Sequence, residues 1–203
     1  MKFNRKSITG LALAGVLCFG VAGTLAWLQD ETVTVQNTFT TSGIDIELDE
    51  KDAVLNSSAS QKEKSFKMIP GFTIDKDPKV TVKANSETCY VFVEVIESTS
   101  LDTYISYTVD SEWTNLELTD NSNEVYYRTV TSSTSDQVFN VLSGNTVTVK
   151  NTVTDTQMKA LSAADAVQPT LSFKAYAIQK ANGNNTYFEP VEAWNTIKKD
   201  IAG

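Results

Sequence analysis

The sequence predicts an all-β protein, a jelly-roll-like β-sandwich with one or two short helices, one of them at the C-terminus. Three observations lead to this prediction. Apolar and polar residues alternate with a period of two in most segments, the connections are rich in Ser, Thr, Asn, Asp and Gly, and only two stretches have helical spacing. About eight short strands joined by polar turns are typical of a β-sandwich or a jelly roll.

Two alternating segments follow one another in the N-terminal third of the chain. In ETVTVQNTFT, the apolar residues Val33, Val35 and Phe39 share one face, and threonine and glutamine occupy the other. In GIDIELDE, three apolar residues alternate with carboxylates over residues 43–50. Both patterns predict half-buried strands, and the polar residues 50–65 that follow predict a loop.

The segment TCYVFVEVI is apolar on both faces, which predicts a central strand at Thr88–Ile96 that is covered on both sides. It contains Cys89, the only cysteine apart from Cys18 near the N-terminus. A lone cysteine in a secreted domain is buried or pairs with another chain, and the apolar setting favours burial. Further strands are predicted at Val80–Val82, Tyr104–Val109, Val125–Val130, Gln137–Leu142, Thr146–Val149 and Thr170–Gln179.

Two stretches have helical character. Asp155–Ala166 consists of good helix formers, with Asp155 as the predicted N-cap. Pro190–Ile201 begins with proline, which is favoured in the first turn of a helix. Its apolar residues recur at helical spacing and predict one stripe that packs on the sheet, formed by Val191, Trp194, Ile197 and Ile201.

The N-terminus has the pattern of a secretory leader. Basic residues in MKFNRKS precede Ile8–Ala26, a segment without charge that ends in small residues. This pattern predicts a signal peptide over residues 1–26, cleaved between Ala26 and Trp27. A retained membrane anchor is the alternative, because the segment approaches the ~20 apolar residues that span a bilayer. Four glycines inside the segment and its small-residue exit favour cleavage.

Cleavage there divides the chain into a leader, residues 1–26, an N-terminal strand segment, residues 27–42, and a β-sandwich domain, residues 43–203. Three basic and no acidic residues leave with the leader, which changes the formal net charge from −8 to −11. Such a surface repels nucleic acid and anionic lipid. We therefore expect a secreted or cell-surface-associated protein with no nucleic-acid partner and no stable membrane insertion after cleavage.

The chain contains no histidine, which excludes Ser-His-Asp and Cys-His nucleophile systems and every zinc site with a histidine ligand. The carboxylates of Asp45, Glu47 and Asp49 would suit calcium. Carboxylates on one strand face, however, lie about 7 Å apart, so we expect this face to be solvated and not to bind an ion. Residues 75–77 predict turn chemistry. Most of five aromatic residues are predicted to lie in the core, and the alternative is an exposed surface that binds a glycan. These residues are Trp113, Tyr126, Tyr127, Phe188 and Trp194. We predict no cofactor, no metal site and no enzymatic activity.

Three motifs in the first half of the chain resemble the TasA/camelysin family, secreted proteins of Gram-positive bacteria that are processed by a SipW-type signal peptidase. They are the junction AGTLAWLQD, the segment NTFTTSGIDIEL, and IPGFTIDKDPKVTV followed by TCYVFVEV. The second half of the chain is similar only in its strand pattern. The residues that carry the resemblance are Gly23, Thr24, Ala26, Trp27, Asp30, Phe39, Gly43, Ile44, Ile46, Pro70, Gly71, Lys76 and Asp77.

The resemblance implies a jelly-roll domain, export, and a role as a subunit of biofilm-matrix fibres, in which each mature N-terminal segment is donated as a strand to the next subunit. The residues permit this independently, because Trp27–Thr40 alternates and reaches roughly 46 Å when fully extended. The strand-donation candidates are Val33, Val35 and Phe39. The alternative is that this segment forms the first strand of its own sheet.

Three functions follow from these observations. The first is a secreted, non-catalytic structural protein of an extracellular matrix or biofilm fibre. Its partners are further copies of itself or other matrix proteins, and a signal peptidase during export. The second is a monomeric cell-surface module that binds a glycan or a protein. The third is a camelysin-like secreted protease. The absence of histidine disfavours it, because catalytic zinc is typically held by three protein ligands that usually include histidine.

Overall fold

The computed structural model of the chain describes residues 43–55, 62–119, 123–163, 165–183 and 185–202. The predicted leader and the predicted N-terminal strand segment both lie outside the described residues. No helix in the described part of the chain is long and apolar enough to cross a membrane.

The predicted all-β sandwich is confirmed, and the described residues also contain three short helices, one of them C-terminal. The helices are α1 (Leu101–Tyr104), α2 (Asp155–Ala160) and α3 (Pro190–Ala202). The described strands are β1 (Ile46–Asp49), β2 (Val54–Leu55), β3 (Lys62–Glu63), β4 (Thr73–Asp75), β5 (Lys79–Val82), β6 (Cys89–Glu97), β7 (Ile105–Ser106), β8 (Thr114–Asn115), β9 (Val125–Val130), β10 (Gln137–Asn140), β11 (Thr146–Val149), β12 (Leu171–Gln179), β13 (Ala181–Gly183) and β14 (Thr186–Tyr187).

The strands form three antiparallel sheets and two small hairpins. Sheet 1 has the order β1–β5–β10, sheet 2 the order β12–β6–β9–β8, and sheet 3 the order β4–β11–β7. The hairpins are β2–β3 and β13–β14. Sheets 1 and 3 are linked where β4 leads into β5 and β10 leads into β11. Between these two connections, the amide of Val141 donates to the carbonyl of Pro78, and the amide of Lys76 donates to the carbonyl of Asn145.

The main core lies between sheets 1 and 2. Val80 and Val82 of β5 pack in one cluster with Val91 and Val93 of β6, and all four are at most 1% exposed. This cluster explains why the face of β6 that contains Val91 and Val93 is apolar, since alternate residues of a strand point to one side of the sheet. Cys89 belongs to the same cluster and is fully buried, as predicted, and burial raises the pKa of its thiol to about 11.

Helix α3 covers the opposite face of sheet 2. The ring centroid of Trp194 lies 5.4 Å from that of Phe92 on β6 and 5.4 Å from that of Tyr176 on β12. Ala193 and Ile197 of the same helix are buried in this cluster. The second apolar face of β6 therefore exists because a helix, and not a further sheet, lies against it.

The buried stripe of α3 differs from the predicted one. Trp194 and Ile197 are buried as predicted, whereas Val191 is 46% and Ile201 is 59% exposed. Ala193 replaces them in the contact and is 0% exposed. A small residue permits close approach of the helix to the sheet, so the apolar pattern alone overestimated how many large residues the stripe contains.

Three local predictions need correction. The predicted strand Tyr104–Val109 contains the end of α1 and only the two-residue strand β7, because Tyr104 turns inward with α1 into the third core cluster. The predicted loop 50–65 contains the hairpin β2–β3. The predicted helix 155–166 ends at Ala160, and its N-cap is Thr154, which forms a capping box with Gln157.

Candidate functional site

The site residues predicted from the sequence lie outside the described residues. These are Ala26 and Trp27 at the cleavage junction and the strand-donation candidates Val33, Val35 and Phe39. Their roles therefore stay predictions. The described part of the chain contains an exposed sheet edge, which is the kind of surface that an added strand would need.

Strand β12 forms one edge of sheet 2. All nine of its residues, Leu171–Gln179, pair with β6 in continuous antiparallel register. In the described ranges no strand pairs with the opposite side of β12. Alternate residues of such an edge direct their N–H and C=O groups away from the sheet, which makes the edge a template for a further strand.

The edge of sheet 1 lies beside the edge of sheet 2. β1 pairs with β5 and approaches β12 across the sandwich. Ile46 and Leu48 of β1 are half-buried against the main core, as are Ala175 and Ala177 of β12. The two edges thus border a seam that we name the β1/β12 seam, defined by these four residues. Small side chains on β12 leave apolar core partly uncovered at this position.

The β1/β12 seam is little protected against strand addition. Natural edge strands are commonly short, charged, bulged or interrupted by proline. β12 has nine residues, no bulge in its pairing with β6, no proline, and Lys174 as its one charged residue. Its length corresponds to about 30 Å, so an extended segment of 14 residues is long enough to cover it.

Two of the three carboxylates that would suit calcium form ion pairs instead. Lys62 Nζ lies 2.5 Å from Asp49 Oδ1, and Lys83 Nζ lies 2.9 Å from Glu47 Oε2. These side chains are between about one-third and a little over one-half exposed. Among the described residues, no group of three or more His, Cys, Asp or Glu side chains is placed to hold a metal ion. The arrangement agrees with the predicted solvated face.

Residues 75–77 differ from the prediction of simple turn chemistry. Lys76 is only 8% exposed, and its Nζ lies 2.9 Å from Oε2 of Glu50. The same ammonium group lies 5.6 Å from the ring centroid of Phe66 and 5.5 Å from that of Phe173. The position of Lys76 within residues 75–77 gave no sign of burial, because the partners come from three distant segments.

Glu94 is a buried carboxylate that the apolar pattern of β6 concealed. Its Oε2 accepts a hydrogen bond of 3.0 Å from the hydroxyl of Tyr176, and its Oε1 accepts one of 3.0 Å from Asn123 Nδ2. Lys198 Nζ on α3 lies 3.9 Å from Oε1. A charged residue within TCYVFVEVI is the sequence signal that could have predicted such partners, since buried charges are paired or hydrogen-bonded.

The tyrosine in this network predicts a loss of stability at alkaline pH. Burial, and then the hydrogen bond to Glu94, raise the pKa of Tyr176 to about 12. An unfolded tyrosine loses its proton near pH 10, so the native state binds more protons between these values and stability falls as pH rises through that window. Urea unfolding between about pH 9 and pH 12 should show the loss.

The matched variants for this titration are Tyr176→Phe and Tyr187→Phe, the latter at a ring that is 66% exposed. Tyr176→Phe should make the alkaline decline in stability less steep, and Tyr187→Phe should leave it unchanged. An identical decline in both variants would show that Tyr176 does not carry the effect.

A second surface feature is an open cleft of about 690 Å³. It is lined in part by two tyrosine–glutamate pairs, in which the hydroxyl of Tyr107 donates to Glu97 and that of Tyr126 donates to Glu124. Burial, and then the bond to Glu97, raise the pKa of Tyr107. The hydroxyls are used within the pairs, so the cleft offers carboxylate acceptors and aromatic rings.

The aromatic residues do not form an exposed platform. Trp113 is 5% and Trp194 is 3% exposed, and the three other aromatic candidates are half-buried against the core clusters: Tyr126, Tyr127 and Phe188. The core position predicted for most of them is therefore confirmed for the two tryptophans. No family model, no curated protein and no solved structure matches this chain.

Proposed function

We propose that this protein is a secreted, non-catalytic structural subunit that polymerises by adding its N-terminal strand to the β1/β12 seam of the next copy. The observation that carries the proposal is the nine-residue edge of β12, which has no strand partner on its outer side in the described ranges. An added strand would form main-chain hydrogen bonds along this edge, and its apolar side chains would cover the partly exposed core.

The N-terminal segment fits such an edge in length and pattern. Trp27–Thr40 alternates, and its apolar face contains Val33, Val35 and Phe39. Ala175 and Ala177 on the acceptor are small, so branched side chains opposite them would fill space that the subunit leaves open. The absence of histidine supports a role without catalysis, because the common nucleophile systems and zinc sites need that residue.

The test compares protein that begins at Trp27 with protein that begins at Ser42. Electron microscopy should show fibres for the longer version and monomers for the shorter one. Hydrogen exchange of the amides in Leu171–Gln179 should slow on polymerisation, because the outer edge of β12 becomes paired. The same slowing should appear when a synthetic peptide of residues 27–40 is added to the shorter version.

Two double variants distinguish strand addition from nonspecific association. Val33→Asp with Val35→Asp places charges on the apolar face and should abolish fibres, whereas Thr32→Asp with Thr34→Asp places the same charges on the polar face and should weaken them less. Monomeric behaviour of the longer version at high concentration would refute the proposal, as would fibres with unchanged exchange in β12.

A monomeric binding module is the second candidate function, and the open cleft favours it. Carboxylate acceptors beside the rings of Tyr107 and Tyr126 suit a sugar, whose hydroxyls donate to carboxylates and whose ring faces stack on aromatic groups. Binding of the shorter, monomeric version to a glycan array, abolished by Tyr107→Ala, would support this function against polymerisation.

A further inference from the structure

One buried cluster of polar side chains lies where sheets 1 and 3 meet. Lys76 contributes an ammonium group whose side chain is 10% exposed, and Glu50 contributes a carboxylate whose side chain is 15% exposed. Their Nζ and Oε2 atoms are 2.9 Å apart. Phe66 and Phe173 enclose the ammonium group on two sides, so this pair lies in apolar surroundings.

Two acceptor atoms around this pair are unsatisfied. Oε1 of Glu50 and Oδ1 of Asn145 are both buried and have no hydrogen-bond partner within the part of the chain that the structure describes. A buried polar atom without a partner is unfavourable, and such atoms are rare in native proteins. Two of them beside one buried lysine therefore call for an explanation.

Asn145 lies next to Lys76 at the end of the β4–β11 ladder. β4 and β11 pair Ile74 with Val147 and Asp75 with Thr146, and Lys76 and Asn145 are the residues that follow this last pair. The amide of Lys76 donates to the carbonyl of Asn145 over 2.9 Å. Asn145 has left the strand conformation, with a φ of 55°, and this backbone bond holds it beside Lys76.

We propose that Lys76 and Asn145 are joined by an intramolecular isopeptide bond, with Glu50 as the acid–base group that forms it. Transfer of one proton from Lys76 to Glu50 across their 2.9 Å contact gives a neutral amine and a neutral carboxylic acid. A desolvated lysine amine is a nucleophile.

The reaction is balanced without any further reagent. The Nζ lone pair of Lys76 attacks Cγ of Asn145, and the new C–N bond forms while Glu50 donates a hydrogen bond to Oδ1. The bond from Cγ to Nδ2 then breaks, Nδ2 takes one proton from the attacking nitrogen by way of Glu50, and ammonia leaves. The product is an amide between the two side chains, and Glu50 returns to its protonated form.

The product satisfies both unpaired acceptors. The acid proton of Glu50 would lie on Oε1 and bond to the amide oxygen derived from Asn145 Oδ1. The N–H of the new amide would bond to Oε2. The bond would also be a covalent tie within the described part of the chain, in which Cys89 is a free, buried cysteine. It would tie β4 to β11 and so reinforce sheet 3.

Intact-mass measurement of the purified protein tests the proposal without any variant. The mass should be lower than that calculated from the observed N-terminus by one ammonia molecule. Tandem mass spectrometry of a digest should find the peptide that contains Lys76 joined to the peptide that contains Asn145. A full calculated mass overturns the proposal, and so does an ammonia loss that maps to Asn182–Gly183, where cyclisation of asparagine would give the same mass.

Three variants assign the roles. Glu50→Gln should restore the full mass, because the proton carrier is lost. Asn145→Gly should also restore it, and glycine tolerates the positive φ of 55° at this position. Lys79→Arg is the matched control, since Lys79 forms a more exposed ion pair with Asp77, and it should retain the ammonia loss. A mass deficit that survives in Asn145→Gly contradicts the proposal.

Discussion

Replacing Phe92 by alanine is expected to lower the free energy of unfolding by about 3–5 kcal/mol, the range for large aromatic residues in well-packed cores. Phe92 is 0% exposed and lies at the middle of β6. Its ring centroid is 5.4 Å from that of Trp194 and 6.2 Å from those of Tyr90 and Tyr127. Removing it leaves a cavity between sheet 2 and α3, and these large rings cannot all move to fill it.

The measurement is urea unfolding followed by circular dichroism. Phe72→Ala is the matched control, because the same side chain is 61% exposed there, and exposed positions change stability by less than about 0.5 kcal/mol. Equal losses in the two variants would show that the contact between sheet 2 and α3 contributes little to stability. Such a result would also contradict the buried helix face as the origin of the second apolar side of β6.

The strands with long alternating or continuous apolar patterns were predictable from the sequence. Val125–Val130 and Thr146–Val149 coincide with β9 and β11, and Pro190–Ile201 nearly coincides with α3. Strands of two residues, such as Val54–Leu55 and Thr114–Asn115, were not predictable, because two residues show no period. Their pairing depends on neighbours that are distant in sequence.

The position of the candidate site could not be predicted from the sequence, for a different reason. The alternating pattern predicted β12, but no local pattern indicates which strand lies at the edge of a sheet. Strand order depends on pairings between residues far apart in sequence, such as Phe173 with Val95. The burial of Lys76 was hidden for the same reason, since Glu50, Phe66 and Phe173 surround it only after folding.

Replacing Lys76 by methionine is expected to destabilise the protein by about 3–5 kcal/mol, because the carboxyl group of Glu50 is left buried without its partner and the proposed tie to Asn145 cannot form. Methionine is similar in length and apolar, so packing against Phe66 and Phe173 is largely kept, and the loss comes from the missing polar partner and not from packing. Glu50 is the group left behind, and its Oε1 already lacks a hydrogen-bond partner in the described structure. Thermal unfolding should shift down by roughly 10 °C for a domain of this size.

Lys159→Met is the control that makes this loss interpretable. Lys159 forms an ion pair with Asp155 at 2.5 Å, shorter than the buried pair, yet both side chains are at least 76% exposed. Water solvates both of these charges, so the pair is worth only a few tenths of a kcal/mol. If distance alone determined the contribution, Lys159→Met would be the more damaging change. A large difference in the opposite direction would show that burial makes Lys76 important to the fold, and near-equal effects would refute that claim.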